Sequence, residues 1–344
     1  MSDFKRLSLQ EAAARVRGDV PTLVLFHRHP DGDAVGSGFA LRAILEAMGS
    51  HTYCVCEDEL PERLRFLVDG VQASILRENL PADFVPGQII AVDTASPSQM
   101  GTLYEVYRGS VDLMIDHHGE GEMYADGWIF PESSATGEMI FALAHELMKA
   151  GRLTAIPNRA CMLMYAAISS DTGCFRFNNA TPAAHMAAAA LLEADFDAAD
   201  VNHRLFTVKS EKLLLAEKLG FDRLRRFSNG RIGVVDMPID IKRAHGLTDE
   251  HLDTLVDVPR SLEGVEVAAA IRQPTDAPVY RVSMRSSCAV DVSAVCAAFG
   301  GGGHAKAAGC TITCEEGMEA VVALVSGAIE KALEALPHRC SHRC

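Results

Sequence analysis

The sequence predicts an α/β protein with two domains, of which the larger, N-terminal one has a mostly parallel sheet with helices on both faces. Short apolar runs of strand length alternate there with segments of helical periodicity, which is typical of parallel strands joined by helices. A smaller set of alternating strand and helix signals follows toward the C-terminus. The length of 344 residues and the hydrophobic content of 48% are sufficient for two separate cores.

The elements of the first domain follow in order from the N-terminus. Ser8 and Glu11 form an S-x-x-E capping box, which predicts a helix from Leu9 to about Arg17. Strands are then predicted at residues 22–26, 52–55, 88–92 and 111–115, and helices at 34–48, after Pro61, at 136–150 and at 182–194. The apolar run at 165–170 is compatible with a strand or with a helix.

A long amphipathic helix is predicted over residues 208–228, which are rich in Lys, Glu, Leu and Arg. We therefore divide the chain into a first domain at 1–205, a helical linker at 206–230 and a second α/β domain at 231–336. In the second domain, strands at 231–236, 265–272 and 279–285 alternate with helices near 248–255 and 292–299. Residues 337–344 are a polar tail that either chelates a soft metal or is disordered, with the candidate ligands His338, Cys340, His342 and Cys344.

The composition argues against several classes of protein. The 46 acidic residues exceed the 32 basic ones, and the net charge of −14 argues against extended duplex nucleic acid as a partner, whereas a short phosphorylated substrate is compatible with it. No apolar run has the length of a signal-peptide core or a membrane span, so we expect a cytoplasmic protein without a membrane partner. The ten cysteines are scattered along the chain, which favours reduced thiols.

The most informative stretch runs from His27 to Ser37 and joins the first predicted strand to the following helix. His27, Asp31 and Asp33 have the spacing H-x3-D-x-D, and Gly32 allows a tight turn between the two carboxylates. One imidazole and two carboxylates suit a divalent cation. An Asp-Gly turn in which Asp33 caps the next helix is an alternative interpretation.

Other apolar runs also end in acidic or imidazole residues. QIIAV precedes Asp93, VDLMI precedes the triplet Asp116-His117-His118, and the run at 165–170 precedes Asp171. Carboxyl ends of parallel strands meet at one edge of a sheet, where open α/β sheets bind their ligands. A buried aspartate is costly unless it is paired or bound to metal, and several together repel one another. The combined pattern therefore favours a site with more than one metal ion.

A glycine run at residues 300–303 precedes His304 and Lys306. Bare backbone amides in such a run can approach an anion closely, although a flexible loop is an equal alternative for four glycines alone. The chain lacks a G-x-G-x-x-G fingerprint after its first strand and a G-K-[ST] ending, so the dinucleotide-binding and P-loop interpretations both fail.

Together, these five motifs resemble those of the DHH phosphoesterases, and within them the nanoRNase or oligoribonuclease branch with its DHH-associated C-terminal domain. The motifs occur in the family's order across about residues 20 to 310. The resemblance implies a first catalytic domain, a second substrate-binding domain and an active site in the cleft between them.

The resemblance also implies roles for particular residues. His27, Asp31 and Asp93 would hold one divalent cation, and Asp33, Asp93, His117 and Asp171 a second, so that Asp93 bridges the pair. Mn²⁺ suits this ligand set best, while Mg²⁺, Co²⁺ and Zn²⁺ stay open. Asp116 would accept the ring N–H of a neighbouring histidine, and His118 would face the phosphate as charge stabiliser or proton donor. The substrate-binding residues would be Arg285, Gly301, Gly302, Gly303 and His304.

The function implied is a two-metal phosphodiesterase that cuts very short RNA oligonucleotides or dinucleotides to mononucleotides. It would also act on 3'-phosphoadenosine 5'-phosphate as a phosphatase, and a homodimer is compatible with the sequence. The alternatives are a hydrolase of linear or cyclic dinucleotide second messengers, an inorganic pyrophosphatase and a non-catalytic nucleotide-binding protein.

Overall fold

The structure, a computed structural model, describes residues 4–336, so the predicted Cys/His tail at 337–344 lies outside the described residues. The described chain divides into two compact units between Val208 and Lys209. Each unit has its own sheet with helices packed against it, which confirms the predicted α/β class.

The sheet of the first unit consists, within the described residues, of five parallel strands in the order β2-β1-β3-β4-β5. Its strands are β1 (Thr22–Leu25), β2 (Thr52–Val55), β3 (Gln88–Val92), β4 (Leu113–Asp116) and β5 (Gly127–Ile129). The three central strands are buried along their whole length, because helices cover both faces of the sheet. This burial explains why they read as continuous apolar runs.

Helices flank this sheet on two sides. Val24 and Ile90 face one hydrophobic core, which α2, α5 and α6 complete, while Leu23 and Ile89 face a second core against α3 and α4. The helices of the unit are α1 (Leu9–Arg15), α2 (Gly32–Ala47), α3 (Pro97–Met100), α4 (Thr102–Tyr107), α5 (Thr136–Lys149), α6 (Asn158–Asp171), α7 (Pro182–Leu191) and α8 (Ala198–Phe206). The predicted Ser8–Glu11 capping box is present at the start of α1.

Glycines allow α6 to lie very close to α2 and α5. A Cβ atom at Gly36 of α2 would come within 2.7 Å of the Leu163 carbonyl oxygen and 2.9 Å of the Ala167 Cβ of α6. One at Gly32 would collide with the Ser170 hydroxyl, and one at Gly137 of α5 with Ala167. The separation between the start of α2 and the end of α6 is therefore set by the absence of side chains at these positions.

The second unit has a mixed sheet. Within the described residues it has six strands in the order β10-β11-β9-β8-β7-β6, and only the β7–β8 pair is parallel. The strands are β6 (Arg225–Phe227), β7 (Ile232–Met237), β8 (Val267–Arg272), β9 (Val279–Ser286), β10 (Gly302–His304) and β11 (Ala307–Thr313). The helices are α9 (Glu211–Asp222), α10 (Ile239–Ala244), α11 (Asp257–Arg260), α12 (Val292–Ala297) and α13 (Met318–Glu334).

The long helix predicted over 208–228 is wrong in its second half. Helix α9 ends at Asp222, and the chain continues into the edge strand β6, which pairs with β7. The buried carboxylate of Asp236 on β7 accepts hydrogen bonds from Arg223 and Arg225, and this contact draws the chain onto the sheet. Ala216 of helix α9 lies in a hydrophobic core of the second unit.

Of two further segments, one was ambiguous in the sequence and the other differs from its predicted form. The ambiguous apolar run at 165–170 is the last part of α6, a helix buried over most of its circumference, and periodicity cannot separate such a helix from a buried strand. The helix predicted near 248–255 is a short 3-10 turn at Glu250–Leu252. No helix among residues 4–336 has the length and apolar character required to cross a bilayer. The eight cysteines within these residues are all free thiols.

The glycine packing predicts opposite effects for one substitution at two helical sites. We expect Gly36→Ala to lower the free energy of unfolding by about 1–3 kcal/mol, because its methyl group overpacks the contact between α2 and α6. Gly327→Ala in α13 meets open space, so it should raise stability by about 0.5–1 kcal/mol. Thermal unfolding of both variants measures the difference, and equal effects would contradict this account of the packing.

Candidate metal centre

The carboxyl ends of the parallel strands bring the predicted ligands to one edge of the first sheet. His27 follows β1, Asp93 follows β3, and Asp116 ends β4 just before His117. Strands β1 and β3 are neighbours, yet the helix after β1 covers one face of the sheet and the helices after β3 cover the other. The site therefore lies at a topological switch point, where the diverging connections leave a crevice.

One group of donors surrounds the His27 ring. Its Nε2 atom lies 3.7 Å from Oδ1 of Asp31 and 3.5 Å from Oδ2 of Asp93. The Nδ1 atom is 2.8 Å from the Arg28 carbonyl oxygen, so Nδ1 carries the proton that it donates there. The Nε2 atom then points toward the carboxylates, as the coordinating nitrogen of a metal-binding imidazole does.

A second group of donors surrounds the His117 ring. Its Nε2 atom lies 3.4 Å from Oδ2 of Asp171 and 3.7 Å from both Oδ2 of Asp33 and Oδ1 of Asp93. The Nδ1 atom faces the Ser133 carbonyl oxygen at 3.3 Å, which again orients Nε2 toward the carboxylates. All four predicted ligands of the second ion are thus together.

Asp93 belongs to both groups through different oxygen atoms. Its Oδ2 atom faces His27 and its Oδ1 atom faces His117, an arrangement that allows one carboxylate to bridge two ions. The Asp93 backbone has a φ of 51°, which lies in the left-handed region that residues other than glycine rarely adopt. A strained backbone conformation persists only where contacts with the surrounding structure stabilise it, and such conformations are common at functional sites.

The contact predicted for Asp116 is made by His118. The Nδ1 atom of His118 lies 2.7 Å from Oδ1 of Asp116, and the same oxygen accepts the His118 backbone N–H at 3.2 Å. His118, with Asp93 and His117, also forms a third group of potential ligands. Because its Nδ1 is directed at Asp116, the ring presents its other edge away from the buried aspartate.

The donor set fits divalent cations. The distances of 3.4 to 3.7 Å around His27 and His117 exceed normal hydrogen-bond lengths. Ligand atoms that share one ion through bonds of about 2.1 Å lie about 3.0–3.4 Å apart, so small movements of these side chains suffice for coordination. Carboxylate oxygens with imidazole nitrogens are ligands for hard or borderline ions.

Mutual repulsion of the carboxylates dominates the electrostatics. Burial and the negative charge of Asp93 raise the pKa of Asp33, which is fully buried, to about 8. Burial together with Asp33, Asp31 and Asp93 raises the pKa of Asp171 well above its ordinary value. Asp171 is the last residue of α6, where the helix dipole also disfavours a negative charge. A bound cation would offset the repulsion at both carboxylates, Asp33 and Asp171.

The histidines compensate part of this charge. Burial alone would lower the pKa of His27, but the neighbouring carboxylates of Asp31 and Asp93 raise it well above its ordinary value. Burial opposes the charged form of Asp93 as well, yet the neighbouring imidazole of His27 outweighs it and lowers the pKa of that carboxyl. The pKa of His118 is raised despite its burial, because it is hydrogen-bonded to Asp116. Protons thus occupy the positions that cations would take.

The residue that caps helix α2 is not the one proposed in the alternative interpretation of the sequence, which was Asp33. Asp31, not Asp33, is the N-cap of α2, and its Oδ1 atom accepts the backbone N–H groups of Asp33 and Ala34. Asp33 lies within the first turn and points to the start of α5 instead. The functional contacts of Thr136 and Gly137 at that start were missed, because their sequence indicated only the beginning of a helix.

The predicted substrate-binding residues lie in the second unit. Arg285 of β9 and His304 of β10 both pair with Ala307 of the intervening strand β11, so their side chains share one face of that sheet. Arg285 is half-buried on an interior strand, and burial lowers the pKa of its guanidinium. Arg285 therefore lies neither on an edge strand nor fully at the surface.

The second half of the glycine run, Gly302 and Gly303, lies in the edge strand β10. The amides of Gly300 and Gly301, which precede that strand, donate hydrogen bonds to carbonyl oxygens of α12. Side chains at Gly301 and Gly303 would collide with β11, whereas Gly302 meets open space. The glycines are required chiefly for this close approach of two strands.

Family models match both units of the chain. Residues 21–168 match the DHH family, N-terminal domain, and residues 235–331 match the DHHA1 domain. The fold is also that of an exopolyphosphatase-related protein from Bacteroides fragilis, with a TM-score of 0.81 and 21% identity over 90% of this chain and 92% of that one.

The chain belongs to the DHH family and is therefore a metal-dependent phosphoesterase. It is 31% identical to the bifunctional oligoribonuclease and PAP phosphatase NrnA of Thermus thermophilus, over 92% of this chain and 89% of that protein. Its identity to the Bacillus subtilis protein of the same name is 28%, over 84% of this chain and 89% of that one.

The raised pKa values predict how pH changes the stability of the metal-free protein. Asp33 binds a proton in the folded state up to about pH 8, whereas an unfolded aspartate releases it near its ordinary pKa. The free energy of unfolding should therefore fall as pH rises from 6 to 8 in a chelator, by on the order of 2 kcal/mol. Added Mn²⁺ should stabilise more at pH 8 than at pH 6, because it competes with protons.

Urea unfolding at each pH measures this slope, and Asp33→Asn should make it shallower because the variant lacks the titrating carboxyl. A metal-free stability that is constant or increases between pH 6 and 8 would contradict the electrostatic account.

Proposed function

We propose that the protein is a two-metal phosphodiesterase that hydrolyses very short RNA oligonucleotides and dinucleotides to mononucleotides. The same centre would remove the 3'-phosphate of 3'-phosphoadenosine 5'-phosphate. The observation that carries the proposal is Asp93, whose two oxygens face His27 and His117 at 3.5 and 3.7 Å and so join two donor groups into one centre. The names of the relatives, which match most of the chain, support this choice of substrates.

The proposed ligands divide into two sets that share one aspartate. His27, Asp31 and Asp93 hold the first ion. The second ion is held by Asp33, Asp93, His117 and Asp171. Mn²⁺ is the proposed ion, because imidazole and carboxylate ligands occur together in both sets. When bound, a pair of divalent ions lowers the pKa of water and neutralises charge on a phosphate.

His118 is the proposed catalytic acid. Its hydrogen bond to Asp116 keeps the ring oriented and favours the imidazolium form by raising the pKa of the ring. The imidazolium stabilises negative charge on the phosphate and donates its proton to the leaving ribose oxygen. Asp116 acts through His118, because it orients the imidazole ring and stabilises the protonated form, and it does not touch the substrate.

The second unit is proposed to bind the nucleotide. Arg285 presents a guanidinium that can donate two hydrogen bonds to the oxygens of a phosphate or stack on a base. His304 lies in the same row of the sheet, and the small side chain of Ala307 between them leaves room for a ligand. The exposed backbone at Gly302 and Gly303 contributes the remaining contacts.

The size and charge of the proposed substrate agree with the rest of the chain. A net charge of −14 weakens binding to long polyanions, while a substrate of two to a few nucleotides requires few contacts besides the metal centre. We propose that the enzyme acts in the cytoplasm, where short RNA fragments and nucleotides occur. Residues 1–205 are the proposed catalytic domain, and residues 231–336 contain the proposed nucleotide-binding elements.

A ladder of RNAs from two to ten nucleotides, incubated with the protein and Mn²⁺, tests the function directly. We expect the shortest oligonucleotides to be converted to mononucleotides fastest, with inorganic phosphate released from 3'-phosphoadenosine 5'-phosphate in a parallel assay. Pyrophosphate and a cyclic dinucleotide serve as competing substrates. Faster cleavage of either one, or tight dinucleotide binding without products, would refute the proposal.

Removal of a central ligand should abolish catalysis while the fold is retained. We expect His117→Ala and Asp93→Asn to lower kcat on a dinucleotide by at least about a thousandfold, because each disrupts the second proposed ion site. His145→Ala is the matched control, since that histidine is exposed on α5 and packs against Phe141. Substantial activity in either ligand variant, with circular dichroism unchanged, would overturn the ligand assignment.

A further inference from the structure

The segment Ser133–Gly137, which leads from β5 into α5, contacts three of the six proposed metal ligands. The Ser133 carbonyl oxygen accepts from His117. The Asn179 side chain donates to the carbonyl oxygens of both Ser134 and Asp171. The Thr136 and Gly137 amides donate to Asp33, and the Thr136 hydroxyl donates to Asp93. A single short segment therefore contacts three proposed ligands that come from three different parts of the chain, and Asn179 links it to the backbone of a fourth, Asp171.

The start of α5 is capped by a residue distant in sequence. Its N-cap position is Ala135, which has no side chain able to accept the first backbone N–H groups of the helix. Asp33 of α2 fills this role. Its Oδ2 atom accepts from the Thr136 amide at 2.6 Å, and its Oδ1 atom accepts from the Gly137 amide at 2.9 Å. Both oxygens of Asp33 are thereby fixed in direction, and each keeps a second lone pair.

The Thr136 side chain fixes the other buried aspartate. Its hydroxyl donates to Oδ1 of Asp93 at 3.0 Å. This oxygen is the one that faces His117, so the bond prevents rotation of the carboxylate and keeps Oδ2 directed at His27. Thr136 is fully buried, and water cannot replace its hydroxyl as donor.

We propose that Thr136 is a positioning residue that holds Asp33 through its amide and Asp93 through its hydroxyl, so that the pair is arranged for two cations before they bind. The proposal rests on the proposed function, since it assumes that Asp93 bridges two ions. Partners that orient metal ligands typically change metal affinity by about 10–100-fold when they are removed. The backbone contribution is insensitive to substitution, so a side-chain change isolates the hydroxyl.

The test compares Thr136→Val, which removes the hydroxyl at nearly equal volume, with Thr136→Ser, which keeps it and removes the methyl group. Thr22→Val is the matched control, because Thr22 is a fully buried threonine at the opposite end of β1 and its hydroxyl also makes hydrogen bonds. Mn²⁺ affinity is measured by calorimetric titration of the full chain. The metal-free thermal midpoint and the Mn²⁺ concentration for half-maximal dinucleotide hydrolysis are measured in parallel.

We expect Thr136→Val to weaken Mn²⁺ binding by at least about tenfold and to raise the half-maximal Mn²⁺ concentration by a similar factor, while Thr136→Ser and Thr22→Val bind Mn²⁺ within about threefold of the parent chain. Unchanged Mn²⁺ affinity in Thr136→Val would overturn the inference. Equal weakening in the Ser and Val variants would also overturn it, because the methyl group and not the hydroxyl would then matter. Absence of Mn²⁺ binding in the parent chain would instead refute the proposed function.

Discussion

Mutual repulsion of buried carboxylates is the physical constraint on which the first unit depends. Asp33 and Asp93 are almost inaccessible to solvent and close to one another, an arrangement that favours protonation or cation binding. This electrostatic repulsion arises because the parallel strands end at the same edge of the sheet, where the polar residues that follow them lie close together. In the metal-free chain, raised pKa values at Asp171 and the histidines offset part of the charge.

The scaffold around the centre contributes rigidity and not charge. Helices α2, α5 and α6 pack through glycine and alanine with little space between them, so the carboxylates that they carry have few alternative positions. The same aspartate that would bind an ion also caps a helix, and a threonine at that helix start donates to a second aspartate. Stability and function are therefore linked, since most changes that loosen the helix contacts also move ligands.

Different contacts stabilise the sheet of the second unit. Its mixed sheet is held at one edge by Asp236, which pairs with two arginines, and at the other by glycines that let β10 approach β11. The row formed by Arg285, Ala307 and His304 results from strand register. These residues are distant in sequence, and their common face depends on the exact pairing of three strands.

The sequence by itself determined the fold class, the strands that end in ligands and the chemical class of the centre, because hydrophobic periodicity and residue type are local properties. It did not determine where the apolar run before Asp171 becomes a helix, why α9 stops at Asp222, or that Gly302 and Gly303 lie in an edge strand. The contacts of Thr136 with Asp33 and Asp93 were equally hidden. Each depends on a partner far along the chain, and only the tertiary structure decides which distant groups satisfy a buried donor or acceptor.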